Sequence, residues 1–178
     1  MTDILDEIIA HKRLEIEQQK AAISQELLIN NCNEPMPRRS MRASLSASPS
    51  GIIAEFKRRS PSKGWIKENA QADIISPAYE MAGASVLSIL TDENFFGGNL
   101  KDIRAARPQV SLPILRKDFI IDEYQLYQAC IVGADAVLLI AAALRKEQCS
   151  MLAAKAHELK LEVLLEIHSE QELELSLI

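Results

Sequence analysis

Glu55, Lys57, Lys117 and Glu166 sit at the ends of apolar runs rather than on polar faces. Residues 52–66 read IIAEFKRRSPSKGWI, Lys117 closes PILRK, and Glu166 closes LEVLLE. Charge inside a buried strand costs free energy unless it sits where the strand leaves the core. Two ammonium groups and two carboxylates in a partly dry site could serve as general acid and base, because desolvation and neighbouring charge can draw their pKa values toward neutrality. The competing reading is two structural ion pairs that lock neighbouring strands, but such pairs have no reason to favour one end of every strand. Lys57, Arg58, Arg59 and Lys63 form a basic cluster in a chain of net charge −5, as a local anion site would. An ordinary solvated loop after a strand is the alternative for that stretch.

The elements that position these groups follow from periodicity. Residues 2–22 have a helical pattern, with Ile4, Leu5, Ile8 and Ile9 on one side and Thr2 or Asp3 as cap. NNCNEPMPRRS reads as a linker, and a short helix is expected around Met41 to Ala47. Apolar strands are expected at 52–57, 86–90, 113–117, 136–140 and 162–167, with helical patterns between them. Such alternation implies right-handed βαβ units and a parallel sheet. Gly83-Ala84 and Gly133-Ala134 each place a glycine where a helix ends before a strand begins. Polar residues gather at the carboxyl ends of the strands: Glu55 and Lys57, Thr91 and Asp92, Lys117 and Asp118, Glu166. That is the active-site face of a (β/α)8 barrel, and no GxGxxG or P-loop points to an open nucleotide-binding sheet instead. Strand parity sets Glu55 and Lys57 on the side of Ile53, Lys117 with Leu115, and Glu166 with Leu164.

Composition excludes several classes. The chain is 48% hydrophobic and 25% charged with no run long enough to span a membrane, which predicts one globular, cytoplasmic domain without a signal peptide. The acidic balance argues against nucleic-acid binding. Cys32, Cys130 and Cys149 show neither CxxC nor zinc-type spacing, which predicts neither a disulfide framework nor a structural metal. His11, His157 and His168 read as surface or helix-end residues.

The ordered segments IIAEFKRRSPSKG, SILTDENFFGG, PILRKDFIID, GADAVLLI and LLEIH resemble indole-3-glycerol-phosphate synthase, from the N-terminal helix to the last residue. AEFKRRSPSKG and LRKDFIID are each specific. The resemblance implies a (β/α)8 TIM barrel preceded by a helical extension, here residues 1–47, with residues 48–178 supplying strands 1 to 5 of the barrel. It implies closure of the indole ring of 1-(2-carboxyphenylamino)-1-deoxyribulose 5-phosphate, with loss of carbon dioxide and water. By matched position, Lys117 is the acid at the ketone, Glu166 the base, and Glu55 a catalytic group that binds hydroxyls or orients a lysine. Lys57 then contacts the anionic substrate, Ser60 and Pro61 shape the wall, and Phe96, Phe119 and Leu138 pack against the aromatic ring. Arg58 and Arg59 have a weaker claim, a solvated or helix-facing role being equally expected. No cofactor or metal is implied, since imine-like intermediates supply the electron sink.

Such barrels take roughly 250 residues, so this sequence reads as part of a longer enzyme. Were the chain to end at Ile178, it would have to self-associate to cover two sheet edges and one apolar face, as a non-catalytic fragment or an assembly half. Another phosphate-binding barrel enzyme, such as phosphoribosylanthranilate isomerase, is the remaining alternative. It lacks both the first-strand signature and the KDF of the third. Ser169 and Glu172 form a capping-box pattern for the last helix.

Overall fold

The computed structural model describes residues 4–32 and 37–176. Its main sheet has five parallel strands in sequence order: β1 (Ile53–Phe56), β4 (Val86–Leu90), β5 (Ile114–Lys117), β6 (Ala136–Ile140) and β7 (Glu162–Glu166). These fall within a residue or two of the apolar runs. A small antiparallel hairpin, β2 (Arg59–Ser60) with β3 (Gly64–Trp65), forms directly after β1, where only a loop was expected.

Side-chain alternation divides the core into two layers. Phe56, Leu87, Ile89, Ile114, Val137 and Leu139 pack against the helices. The principal ones are α4 (Ala72–Met81), α6 (Leu100–Ala106), α7 (Glu123–Val132) and α8 (Lys146–Glu158). Val86, Leu115, Ala136, Leu138 and Ile140 form the inner layer, with Leu164 against it. Register couples the layers to the mouth: Leu90 pairs with Lys117, Leu138 with Leu164, and Ile140 with Glu166. Expected parity therefore holds, with Leu115 and Leu164 beneath Lys117 and Glu166. Among the described residues β1 pairs only with β4 and β7 only with β6, so β7 is half-buried along its length while β6 is fully buried.

Helix ends follow local chemistry. Asp122 and Gln125 make a reciprocal capping box at the start of α7, and Gly133 ends it with φ +89°. Gly83 takes the same φ before β4. Ser169 Oγ accepts from Glu172 N at 3.1 Å ahead of α9 (Glu170–Ser176), but the Glu172 carboxylate accepts from His168 N at 2.8 Å rather than from the cap residue.

Among the described residues three helices precede β1. α3 (Met41–Ala47), capped by Ser40, matches its expected span and sets Met41 and Leu45 against the inner layer. α1 (Ile4–Ala22) buries Ile8, Ile9, Lys12 and Ile16, so its apolar stripe continues through a lysine. The expected caps Thr2 and Asp3 lie outside the described residues.

α2 (Gln25–Cys32) runs into the stretch read as linker, because Leu28 joins Ile16, Tyr124 and Tyr127 in a cluster that no local pattern reveals. The expectation of no disulfide also fails: α2 packs on α7 and brings Cys32 and Cys130 together as one, with sulfurs 2.09 Å apart across a sequence separation of 98. Sequence spacing could not show it, since the proximity arises only from helix packing. Among the described residues no helix is long and apolar enough to cross a membrane.

Candidate active site

The carboxyl ends of the strands surround a cavity of about 200 Å3 lined by Glu55, Lys57, Leu90, Phe96, Lys117, Asp118, Phe119, Leu138, Ile140 and Glu166. An adjoining recess shares Lys57, Phe96 and Phe119 and adds Ser60, Pro61, Ser62, Lys63 and Ile66 from the β1–α4 segment, with Ile4, Leu5 and Ile8 of α1 opposite. All nine residues singled out from the sequence line one or other of these spaces.

Glu55 is the electrostatic centre. Its Oε1 accepts from Lys57 Nζ at 2.6 Å, and its Oε2 lies 3.1 Å from Lys117 Nζ. Burial alone would raise the Glu55 pKa; hydrogen bonds from Lys57 and Lys117, with their charges, outweigh it and hold the carboxyl below its usual value. The expectation that a carboxyl here is drawn toward neutrality is therefore wrong for Glu55. It is a fixed anion bridging two ammonium groups, suited to orienting them rather than to donating a proton.

Across the mouth, Glu166 Oε1 lies 3.0 Å from His168 Nε2. That hydrogen bond, then the Glu166 charge, raises the pKa of the exposed imidazole. His168, read as a surface or helix-end residue, is exposed, and its place two positions beyond Glu166 is the one sequence signal of the contact. Phe96 and Phe119 stand with ring centroids 6.0 Å apart and planes tilted by 37°, forming apolar walls beside the charged groups. Phe96 ends the single turn α5 (Glu93–Phe96), whose N-cap Asp92 accepts from Phe95 N, while Gly97 at φ +64° terminates it.

The basic cluster after β1 divides. Lys57 and Lys63 face the cavities, but Arg58 does not. Its guanidinium makes a two-pronged pair with Asp102 at 2.6 and 2.7 Å and also donates to the carbonyls of Ala70 and Gly97. Arg58 thus fastens the segment after β1 to the start of α6, the helix-facing alternative. Arg59 donates to Asn94 O at 3.0 Å and lies over Trp65, on the outside of the hairpin. Only half of the expected anion-site cations therefore reach the mouth: alternation turns Arg58 away from Lys57, and the hairpin, in which Arg59 pairs with Trp65, carries Arg59 outward.

His11 differs from a plain surface residue: it is half-buried, with its ring edge-on to Phe95 at 5.7 Å between centroids. Sequence reasoning gave no site role to Lys12, whose buried ammonium meets Asp92 and Asp118 at the carboxyl ends of β4 and β5. Nothing in an apolar helical stripe reports such a partner.

Sequential parallel strands with outer helices, and an acid–base cluster beside aromatic walls at their carboxyl ends, define a (β/α)-barrel protein with an enzyme-type pocket. The family model described as indole-3-glycerol phosphate synthase matches residues 5–178. The chain belongs to the indole-3-glycerol phosphate synthase family, a family of TIM barrels. Proteins named indole-3-glycerol phosphate synthase are similar to it throughout. That of Bacteroides thetaiotaomicron is 69% identical over 173 residues, 97% of this chain and 66% of the relative. That of Neisseria meningitidis serogroup B is 52% identical over 178 residues, 98% of this chain and 68% of the relative. That of Polynucleobacter asymbioticus is 44% identical over 186 residues, 99% of this chain and 70% of the relative. The chain thus spans about two thirds of the length of the curated relatives it matches.

Proposed function

We propose that the full-length protein closes the indole ring of 1-(2-carboxyphenylamino)-1-deoxyribulose 5-phosphate to give indole-3-glycerol phosphate, carbon dioxide and water, and does so at this mouth. The observation that carries the reading is Glu55 bridging Lys57 and Lys117 beside the Phe96–Phe119 pair, with Glu166 on the facing strand of the same cavity.

In this reading the benzoate ring lies against Phe96, Phe119 and Leu138, and the Lys117 ammonium reaches the ketone. As the aromatic carbon ortho to nitrogen attacks, Lys117 gives its proton to the carbonyl oxygen and stabilises the charge developing there. Carbon dioxide leaves with its bonding electrons returned to the ring system. Glu166 then takes a proton from the ring carbon between the nitrogen and the hydroxyl-bearing carbon, the C–O bond breaks, and the hydroxyl leaves as water with a proton from solvent, which replaces the one consumed when carbon dioxide was lost. Glu55 holds both lysines, Lys57 binds the anionic substrate, and Ser60 and Pro61 shape its wall. We assign residues 1–47 to a helical extension and 48–178 to strands 1 to 5 of the barrel. The setting is cytoplasmic and the partner is this small phosphorylated substrate, with no nucleic acid, membrane, cofactor or metal in the scheme.

The test is indole fluorescence on mixing the purified full-length protein with the carboxyphenylamino substrate, with phosphoribosylanthranilate in parallel. Indole product from the first substrate supports the reading; conversion of the second alone overturns it in favour of an isomerase.

A further inference from the structure

Lys12 is a long, charged side chain in the apolar stripe of α1, and it is 1% exposed. Its Nζ lies 2.7 Å from Glu15 Oε2, 2.8 Å from Asp92 Oδ2 and 3.1 Å from Asp118 Oδ1. The last two carboxylates are themselves 0% and 1% exposed. A buried ammonium persists only where partners compensate its desolvation, so the cluster holds α1 at one place on the sheet. The other end of α1 is held separately, by Lys20 on Asp122 at 2.7 Å and by the Tyr124 hydroxyl, whose single O–H lies within reach of the carbonyls of both Gln19 and Ile23.

Each aspartate that meets Lys12 also fixes one wall of the aromatic slot. Asp92 Oδ1 accepts from Phe95 N at 2.8 Å and so holds the turn that carries Phe96. Asp118 Oδ1 accepts from Phe119 N at 2.8 Å. Their remaining support is unequal. Asp118 also has Arg116 at 2.9 Å and Thr91 at 2.6 Å, whereas the cation beside Asp92 is Lys12. The same helix places Ile4, Leu5 and Ile8 opposite Phe96 and Phe119.

We propose that Lys12 is a positioning residue for the ring-closing site: by bridging Asp92 and Asp118 from α1, it fixes the separation of Phe96 and Phe119 and seats the helix against the slot between them. The inference rests on the proposed reaction for its kinetic consequence but not for its structural one. Because Asp118 keeps Arg116 and Thr91 without Lys12, Lys117 stays placed and the loss falls on the Phe96 wall. The expected result is weaker substrate binding with little change in the chemical step.

Two variants of the full-length protein test it. Lys12→Met removes the charge at nearly constant length. Lys12→Met/Asp92→Asn also removes the buried carboxylate left unpaired, while the asparagine oxygen can still accept from Phe95 N. In each variant that folds, KM should rise about tenfold or more with kcat within about threefold. Amide exchange at Phe95, whose N–H is held by Asp92, should speed at least about tenfold relative to the amides of Phe119 and β6. In the double variant thermal stability should recover while KM stays raised. A merely structural lysine predicts the reverse, with KM returning as stability returns and exchange rising uniformly; that pattern overturns the proposal. KM within twofold of wild type in a folded variant also overturns it, and so does failure of both variants to fold. If wild type shows no ring closure, the proposed function fails while the exchange measurement still decides whether Lys12 holds the slot.

Discussion

Asp118→Asn is the perturbation whose size the structure sets most closely. The carboxylate receives four groups: Thr91 Oγ1 at 2.6 Å, Phe119 N at 2.8 Å, Arg116 Nη2 at 2.9 Å and Lys12 Nζ at 3.1 Å. An asparagine has one accepting oxygen, so its amide nitrogen faces either Lys12 and Phe119 N, both donors, or Arg116, a donor, and Thr91, whose hydroxyl can turn to accept. One or two interactions are lost, and the buried cations lose a counter-charge. Hydrogen bonds to charged groups contribute about 1.5–3 kcal/mol each, and breaking a buried ion pair from one side costs about 3–5 kcal/mol. The loss of counter-charge sets the size at about 3–5 kcal/mol, a fall in Tm of roughly 6–20 °C for a domain of this size.

The loss should depend on pH. Burial by itself would raise the Asp118 pKa, but Arg116 and Lys12, with hydrogen bonds from Thr91 and Arg116, hold the carboxyl far below its usual range. A carboxyl depressed on folding stabilises the protein fully above its unfolded pKa of about 3.9, and that stability is lost as pH falls toward the folded pKa. Urea unfolding of wild type and variant between pH 3 and 7 should show a wide gap at neutral pH that narrows below about pH 4. A gap under about 1 kcal/mol at pH 7, or one unchanged at pH 3, would show that the Asp118 charge does not hold the cluster together.

Lys57→Ala should raise KM about tenfold to a hundredfold with kcat within about threefold, as loss of one charge-assisted contact to an anionic substrate requires; steady-state kinetics showing unchanged KM would remove Lys57 from binding. The His168 imidazole should titrate by NMR above the usual value of about 6.5 and return toward it in Glu166→Gln, because the Glu166 hydrogen bond causes the shift. The stability that shift confers is present below the unfolded pKa and is lost as pH rises through the folded one. Gly98→Ala should lower Tm by several degrees in a thermal melt, since a Cβ there would stand 2.2 Å from the Leu90 carbonyl oxygen, a backbone atom of a central strand; an unchanged Tm would show that the turn after α5 can back away.

What the sequence disclosed was governed by the range of the interactions involved. The five main strands announce themselves because each is an apolar run whose burial is decided locally, and parity alone placed Leu115 under Lys117 and Leu164 under Glu166. Glycines at positive φ marked the joints before β4 and β6 for the same local reason. The direction of Arg58 was not legible, since its partner Asp102 lies 44 residues on. Lys12 was hidden more deeply: in α1 it reads as a break in the stripe, and only the folded chain brings Asp92 and Asp118 to it. The Cys32–Cys130 pair belongs to the same class, set by the packing of α2 on α7. The downward shift of Glu55 was also invisible, because it depends on two lysines converging on one carboxylate.

Lys117, held by Glu55 at the mouth of the strands, is the group proposed to supply the proton for ring closure. The most direct measurement is the rate of indole-3-glycerol phosphate formation by the full-length protein and its Lys117→Ala variant at saturating substrate, with far-UV circular dichroism confirming equal folding. Loss of a positioned general acid predicts a fall in kcat of about 10²–10⁴-fold. A folded variant turning over within about threefold of wild type would show that Lys117 is not the acid.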